Sequence, residues 1–145
     1  MPGTEFSLPI RVYIEDTDAG GIVYYVNYLK YMERARTEFL RALGFARPAL
    51  FREDRLFVVR EVALTYRAPA RLDDLLQATV TVERAAGAAL VLQQRVDRDG
   101  ETLVEGCVTV ACVDRDSLRP RRIPTEMLAT LRARRVTDPS AAHQH

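Results

Sequence analysis

Hydrophobic and polar positions follow two rhythms along this chain, and the change between them divides it into elements. A first apolar run, from about Leu8 to Ile14, has the length and composition of a strand. It ends in an acidic, glycine-bearing turn, Glu15-Asp16-Thr17-Asp18-Ala19-Gly20-Gly21. The apolar spacing then lengthens to the helical period. Tyr28, Tyr31, Met32, Ala35, Phe39, Ala42 and Leu43 fall on one stripe, Lys30, Glu33, Arg34, Thr37 and Arg41 face away, and Gly44 supplies the stop. Beyond Arg55 the period is two. Val58, Val62, Leu64 and Tyr66 share a face, with Arg60 in the same inward register; Val80 and Val82 oppose Thr79, Thr81 and Glu83, and Arg84 ends that inward series; Leu90, Leu92 and Val96 continue the pattern. Ala85-Ala86-Gly87 and Asp99-Gly100 separate these runs, the second making a tight hairpin into Leu103–Val113. After Pro124, the spacing of Met127, Leu128 and Leu131 predicts a short closing helix.

The predicted order is therefore β, α, four β and a short α. One long helix and a large antiparallel sheet bury their apolar faces only by lying against each other, so the fold class is α+β. Alternating βαβ units are missing, as are the Walker and GxGxxG glycine loops, which argues against a nucleotide-binding doubly wound sheet.

Length and charge narrow the function classes. A chain of 145 residues carries one core, so we read a single domain over 1–145 with a disordered tail after about 136. Twenty-one basic residues against 20 acidic ones give a net charge of +1, without the bulk positive field of a nucleic-acid binder. The charge is uneven: Arg115 to Arg135 carries +5 and the remainder −4, a local patch suited to phosphate groups or an acidic protein surface, or simply a solvated tail. Cys107 and Cys112, five apart in one strand-like run, point to opposite faces and cannot bridge each other. No leader-like or membrane-spanning stretch is visible, so a cytoplasmic protein with reduced thiols is expected. Both histidines, His143 and His145, lie in the polar tail, which disfavours imidazole catalysis.

The candidate chemistry sits at the turn between first strand and helix. Asp16 and Asp18 in front of a helix read most simply as caps. The glycine pair Gly20-Gly21 argues for more, because it lets a ligand approach the backbone beside the free N–H groups of the helix entrance. A carboxylate and an oxyanion hole suffice for thioester hydrolysis, since a thiolate leaves without a strong general acid. An EF-hand loop is excluded by Asn27 at its twelfth position, and an aspartyl-phosphate phosphatase by the absent α/β alternation. Further in, Arg36 and Arg60 could anchor a substrate phosphate or carboxylate, with an interior Arg36–Glu33 ion pair as the structural alternative. Arg84, beside a glycine turn, suits a phosphate contact, or a solvated strand end.

The run RVYIEDTDAGGIVYYVNYLKYMERARTEFLRALGF (Arg11 to Phe45) resembles the opening of hotdog-fold acyl-CoA thioesterases of the 4-hydroxybenzoyl-CoA thioesterase family, specifically the YbgC type associated with the Tol-Pal system. FVVREVALTYRAPARLDD (Phe57 to Asp74) and VTVACVDRDSLRPRRIP (Val108 to Pro124) extend the resemblance over most of the chain. It implies a sheet wrapped around one long helix, hydrolysis of a short-chain acyl-CoA, and no metal or other cofactor. The family's catalytic aspartate falls on Asp18, leaving Asp16 in support, and the backbone N–H that polarises the thioester carbonyl falls on Tyr25, where many YbgC-type members carry histidine. A homodimer or homotetramer with sites at the dimer interface is implied as well. Two rivals remain: a non-catalytic acyl-CoA or acyl-carrier-protein binding module, and a hotdog dehydratase or hydratase, which normally wants a histidine.

Overall fold

A computed structural model describes residues 5–45 and 54–134; the tail expected to be disordered, with Arg135, His143 and His145, lies outside them. The elements run β1 (Glu5–Arg11), a 3-10 turn (Ile14–Asp16), α1 (Asn27–Ala42), β2 (Arg55–Tyr66), β3 (Leu75–Ala86), β4 (Ala89–Arg98), β5 (Glu101–Asp114) and α2 (Thr125–Ala133). The five strands form one antiparallel sheet in the order β1-β3-β4-β5-β2, which leaves β1 and β2 as edges. Helix α1 packs on one face of the sheet, so the predicted element order and α+β class are as read.

The core is the interface between α1 and the inward registers of β3, β4 and β5. Tyr28, Tyr31, Met32, Ala35 and Phe39 meet Val80, Val82, Leu90, Leu92, Val108 and Val110, all buried. Burying a large apolar side chain contributes about 1.5–3 kcal/mol, which is what holds a marginally helical segment such as α1 in place. Met127 and Leu131 of α2 close one end of this core, and Arg132 Nε donates to the Ala85 carbonyl at 2.9 Å. Between β4 and β5, Asp99 (φ 50°) and Gly100 (φ 83°) both take left-handed conformations, as a two-residue hairpin turn requires.

Four details depart from the periodicity. The first strand ends at Arg11; Tyr13 and Ile14 turn outward because the chain must leave the sheet edge to form the 3-10 turn. On α1, Ala42 is exposed and Leu40 is buried, so the contact face near the helix end takes in Leu40 in place of Ala42. In β2, Val59 pairs with Val110 and Glu61 with Thr109, so Arg60 is an extra residue, a β-bulge. Val58, opposite Ala111, therefore lies on the other face from Val62, opposite the buried Val108, and Arg60 is exposed rather than inward. The same happens in β3: Val82 pairs with Leu92 but Arg84 with Val91, so Glu83 is extra, Arg84 is turned to the outer face and Ala85 takes the inward place. One inserted residue reverses the facing of everything after it.

Candidate active site

The acidic turn folds as a small hairpin clamped at its base. Thr17 bridges Val23, Ile22 bridges Arg71, and the Val23 N–H donates to the Ala70 carbonyl at 2.9 Å. At the tip, the Asp18 N–H donates to the Ile22 carbonyl (2.9 Å) and the Gly21 N–H to the Asp18 carbonyl (3.1 Å). Gly21 has φ +77°, a conformation other residues adopt only with strain, so the tightness of this tip depends on it. The Gly20 N–H donates to Asp18 Oδ1 at 2.8 Å, which orients the carboxylate; Asp18 is exposed, and its Oδ2 has no hydrogen bond among the described residues.

The two acids do different things. Asp16 Oδ2 accepts the Tyr13 N–H (2.9 Å), and its carbonyl accepts the Tyr24 N–H (3.0 Å) and the Asn27 Nδ2 (2.8 Å), so Asp16 ties the 3-10 turn to the start of α1. Neither acid caps α1: its N-cap residue, Val26, carries no side-chain cap, and no acidic residue lies in its first turn. The reading of both acids as caps of the long helix thus fails: Asp16 caps the 3-10 turn instead, and Asp18 caps neither. Among the described residues, no hydrogen bond engages the N–H of Tyr25 or Val26. The helix entrance keeps open donors next to the loop that carries the exposed carboxylate.

Aromatic rings frame this entrance. Tyr25, 56% exposed, packs on Tyr24 (5.0 Å) and edge-on against Tyr66 (6.2 Å), which lies 5.7 Å from Tyr28. The Tyr28 hydroxyl accepts the Ala70 N–H at 2.9 Å, linking α1 to the segment that clamps the hairpin. Burial raises the pKa of Tyr28, Tyr31 and Tyr66, with Asp16 adding to the effect at Tyr31 and Tyr25 at Tyr66, so these phenols stay protonated at neutral pH. Tyr66 was legible only as a face-sharing strand residue; its place at the site depends on β2 lying beside the helix entrance.

From that entrance a trough runs along α1. Val26, Leu29, Lys30, Glu33 and Arg36 form its floor and Val59 and Val62 of β2 its wall, enclosing about 260 Å³. A deeper extension of about 150 Å³ reaches Leu40, Phe57 and Leu92. The Arg36–Glu33 ion pair does not form; Arg36 NH1 donates instead to Gln94 Oε1 at 3.1 Å, and Gln94 Nε2 donates to the Met32 carbonyl at 3.0 Å. Gln94 sits between Leu92 and Val96 in the inward register, so its burial was readable from the alternation although its partner was not. Of the sequence-nominated residues, the hairpin and helix entrance bring together Asp18, Gly20, Gly21 and Tyr25, whereas the bulges leave Arg60 and Arg84 exposed and outside the trough lining. In the C-terminal arginine patch, Arg121 is held by Asp54 and Asp114. Among the described residues, no His/Cys/Asp/Glu group could hold a metal ion, and no helix is long and apolar enough to cross a membrane.

Comparisons with known proteins agree with this architecture. The family model described as Thioesterase superfamily matches residues 20–105, which include Gly20, Gly21, Tyr25, α1 and most of the sheet. The acyl-CoA thioesterase YbgC of Haemophilus influenzae is 46% identical over 125 residues, covering 86% of this chain and 92% of that protein. The acyl-CoA thioester hydrolase YbgC of Escherichia coli O6:H1 is 45% identical over 130 residues, 89% and 97% of the two chains. Among solved structures, a probable thioesterase from Bartonella henselae superposes with a TM-score of 0.77 at 34% identity, over 83% of this chain and 99% of that one. The sheet-and-helix layout is thus the hotdog fold. With more than half of its length inside the family match and relatives of this identity along most of it, the chain belongs to the thioesterase superfamily, and within it to the YbgC-type hydrolases.

Proposed function

We propose that this chain hydrolyses short-chain acyl-CoA thioesters, with Asp18 as nucleophile or general base and the Tyr25 N–H in the oxyanion hole. The observation that carries the reading is the exposed, oriented Asp18 carboxylate on a hairpin that leads directly into an uncapped helix start. A thioester carbonyl at the entrance receives the Tyr25 N–H, and negative charge developing on its oxygen is stabilised there. Asp18 either takes a proton from an attacking water or attacks the carbonyl itself to give a mixed anhydride that water then opens. On both routes the C–S bond breaks, the electron pair leaves with the CoA sulfur as thiolate, and water supplies the hydroxyl of the free acid. The bare backbones of Gly20 and Gly21 leave room for the thioester, and Asp16 holds the loop.

A short acyl group fits the small volume of the trough. A second copy of the chain completes the site: among the described residues no strand pairs with the outer side of β2, and its trough-facing Val59 and Val62 are 49% and 40% exposed, an apolar edge that pairing would cover. The arginine patch remains a surface for CoA phosphates or an acyl carrier protein. Free thiols at Cys107 and Cys112 suit a reducing cytoplasm, and a role beside the Tol-Pal system rests on the sequence resemblance alone. The test is thiol release over a panel of acyl-CoAs with wild type and Asp18→Asn. Turnover falling at least about 100-fold in a folded variant, and less in Asp16→Asn, supports the assignment. Binding of acyl-CoA with no thiol released by the wild type turns the protein into a binding module.

A further inference from the structure

Arg36 is a half-buried cation that pairs directly with no carboxylate among the described residues. Other withdrawn arginines are held by pairs of carboxylates: Arg95 by Glu5 and Asp97, Arg98 by Asp74 and Glu101. Arg36 forms no ion pair among the described residues, and its one hydrogen bond is to an amide oxygen. Gln94 cannot turn to offer more, because its own NH2 is committed to the Met32 carbonyl. Burial pushes the Arg36 pKa down, with Glu33 opposing, so withdrawal from water is an unmet cost at this position. Arg36 lines the trough, which begins at Val26, next to Tyr25, and reaches Arg36 about three helical turns on.

We propose that Arg36 binds a carboxylate at the far end of the acyl group, making ω-carboxyacyl-CoA thioesters the favoured substrates. This rests on the thioesterase reading and adds a substrate class to it. An acyl chain whose carbonyl lies at the helix entrance runs along the apolar strip of Val26, Leu29, Val59 and Val62, and its free end arrives at the guanidinium. From Asn27 to Arg36 the helix rises on the order of 14 Å, and long helical side chains lean back toward the N-terminus, so a short diacid chain spans the interval. A planar guanidinium matches a carboxylate bidentately, and an apolar surround strengthens the pair. Lys30 and Arg36 against Glu33 leave the lining net positive. A neutral alkyl chain of equal length leaves the guanidinium unpaired.

The experiment compares kcat/KM for a ladder of ω-carboxyacyl-CoAs with unbranched acyl-CoAs of equal carbon number, in wild type, Arg36→Gln and Arg36→Lys. The quantity read is the ratio of the two classes, in which a general loss of activity cancels. The expected result is a wild-type preference for the ω-carboxylate that falls at least about tenfold in Arg36→Gln and is partly kept in Arg36→Lys, which retains charge without the fork. No wild-type preference, or a ratio unchanged in Arg36→Gln, overturns the proposal. So does an unchanged ratio accompanied by loss of oligomer mass, which would place a second copy's carboxylate on Arg36. Should Arg36→Gln not fold, the wild-type and Arg36→Lys ratios decide. If the wild type releases thiol from neither class, the thioesterase reading fails by itself; calorimetric titration of an ω-carboxyacyl-CoA into wild type and Arg36→Lys then decides the Arg36 site, an equal Kd ruling it out.

Discussion

At Tyr25 the side chain and the main chain have separable jobs. Its ring packs between Tyr24 and Tyr66 in a half-open position, while its N–H points to no described partner at the start of α1. Removing the phenol oxygen leaves both the ring and the donor in place, so Tyr25→Phe should lower kcat/KM by less than roughly tenfold, at most about 1.4 kcal/mol. Tyr25→Pro deletes the donor and should cost far more, with circular dichroism reporting whether α1 survives. A Phe variant as inactive as Asp18→Asn would instead give the hydroxyl a direct part in the reaction. Asp18 was legible as a candidate from its neighbours, acids before glycines before a helix. What sequence left open was whether it caps that helix, because capping depends on where the carboxylate points, and that is set by the Gly20 N–H and the clamp from Ala70 and Arg71.

At the scale of elements, β2 lies tightly against β5 at Gly106. A Cβ on Gly106 would stand 2.0 Å from the Ala63 carbonyl oxygen, a backbone atom that cannot swing away. Gly106→Ala should therefore force the two strands apart and cost roughly 1–3 kcal/mol, read as a lowered urea midpoint; an unchanged midpoint would mean the edge strand shifts freely. Where β5 ends, Asp114 organises the following turn. Its carboxylate accepts the N–H groups of Ser117 (2.8 Å) and Asp116 (3.0 Å) and pairs with Arg121 (3.0 Å). The Ser117 hydrogen bond first, and Arg121 next, pull its pKa from the ordinary 3.8 to about 2. A carboxyl with a lower pKa in the folded state takes up its proton more readily when unfolded, so its stabilisation is complete above 3.8 and drains away as pH falls toward about 2. Stability of Asp114→Asn should fall less than that of wild type across that window, measured by urea unfolding at stepped pH; parallel profiles would remove Asp114 from the acid response.

For the molecule as a whole, the β2 edge and the apolar trough beside it form one surface that the described residues leave open. Light scattering at micromolar concentration should therefore give at least a dimer mass, and a monomer that turns over acyl-CoA at full rate would contradict a site completed by a second copy. The sequence by itself determined the element order, the buried stripe of α1 except at its last turn, the Asp99-Gly100 hairpin and the candidate loop, because each follows from local periodicity or from a backbone conformation that few residues adopt. The facing of Arg60 and Arg84 escaped it. Alternation counts residues, whereas a bulge is an extra residue against a partner strand, and only the pairing of β2 with β5 and of β3 with β4 decides where it falls. The partner of Arg36 escaped for a related reason: Glu33 is the neighbour along the helix, but Gln94, 58 residues away, is the group that the sheet brings beneath it. Tertiary structure alone decided which polar atoms meet across the core, since those contacts depend on the stacking of helix on sheet rather than on spacing along the chain.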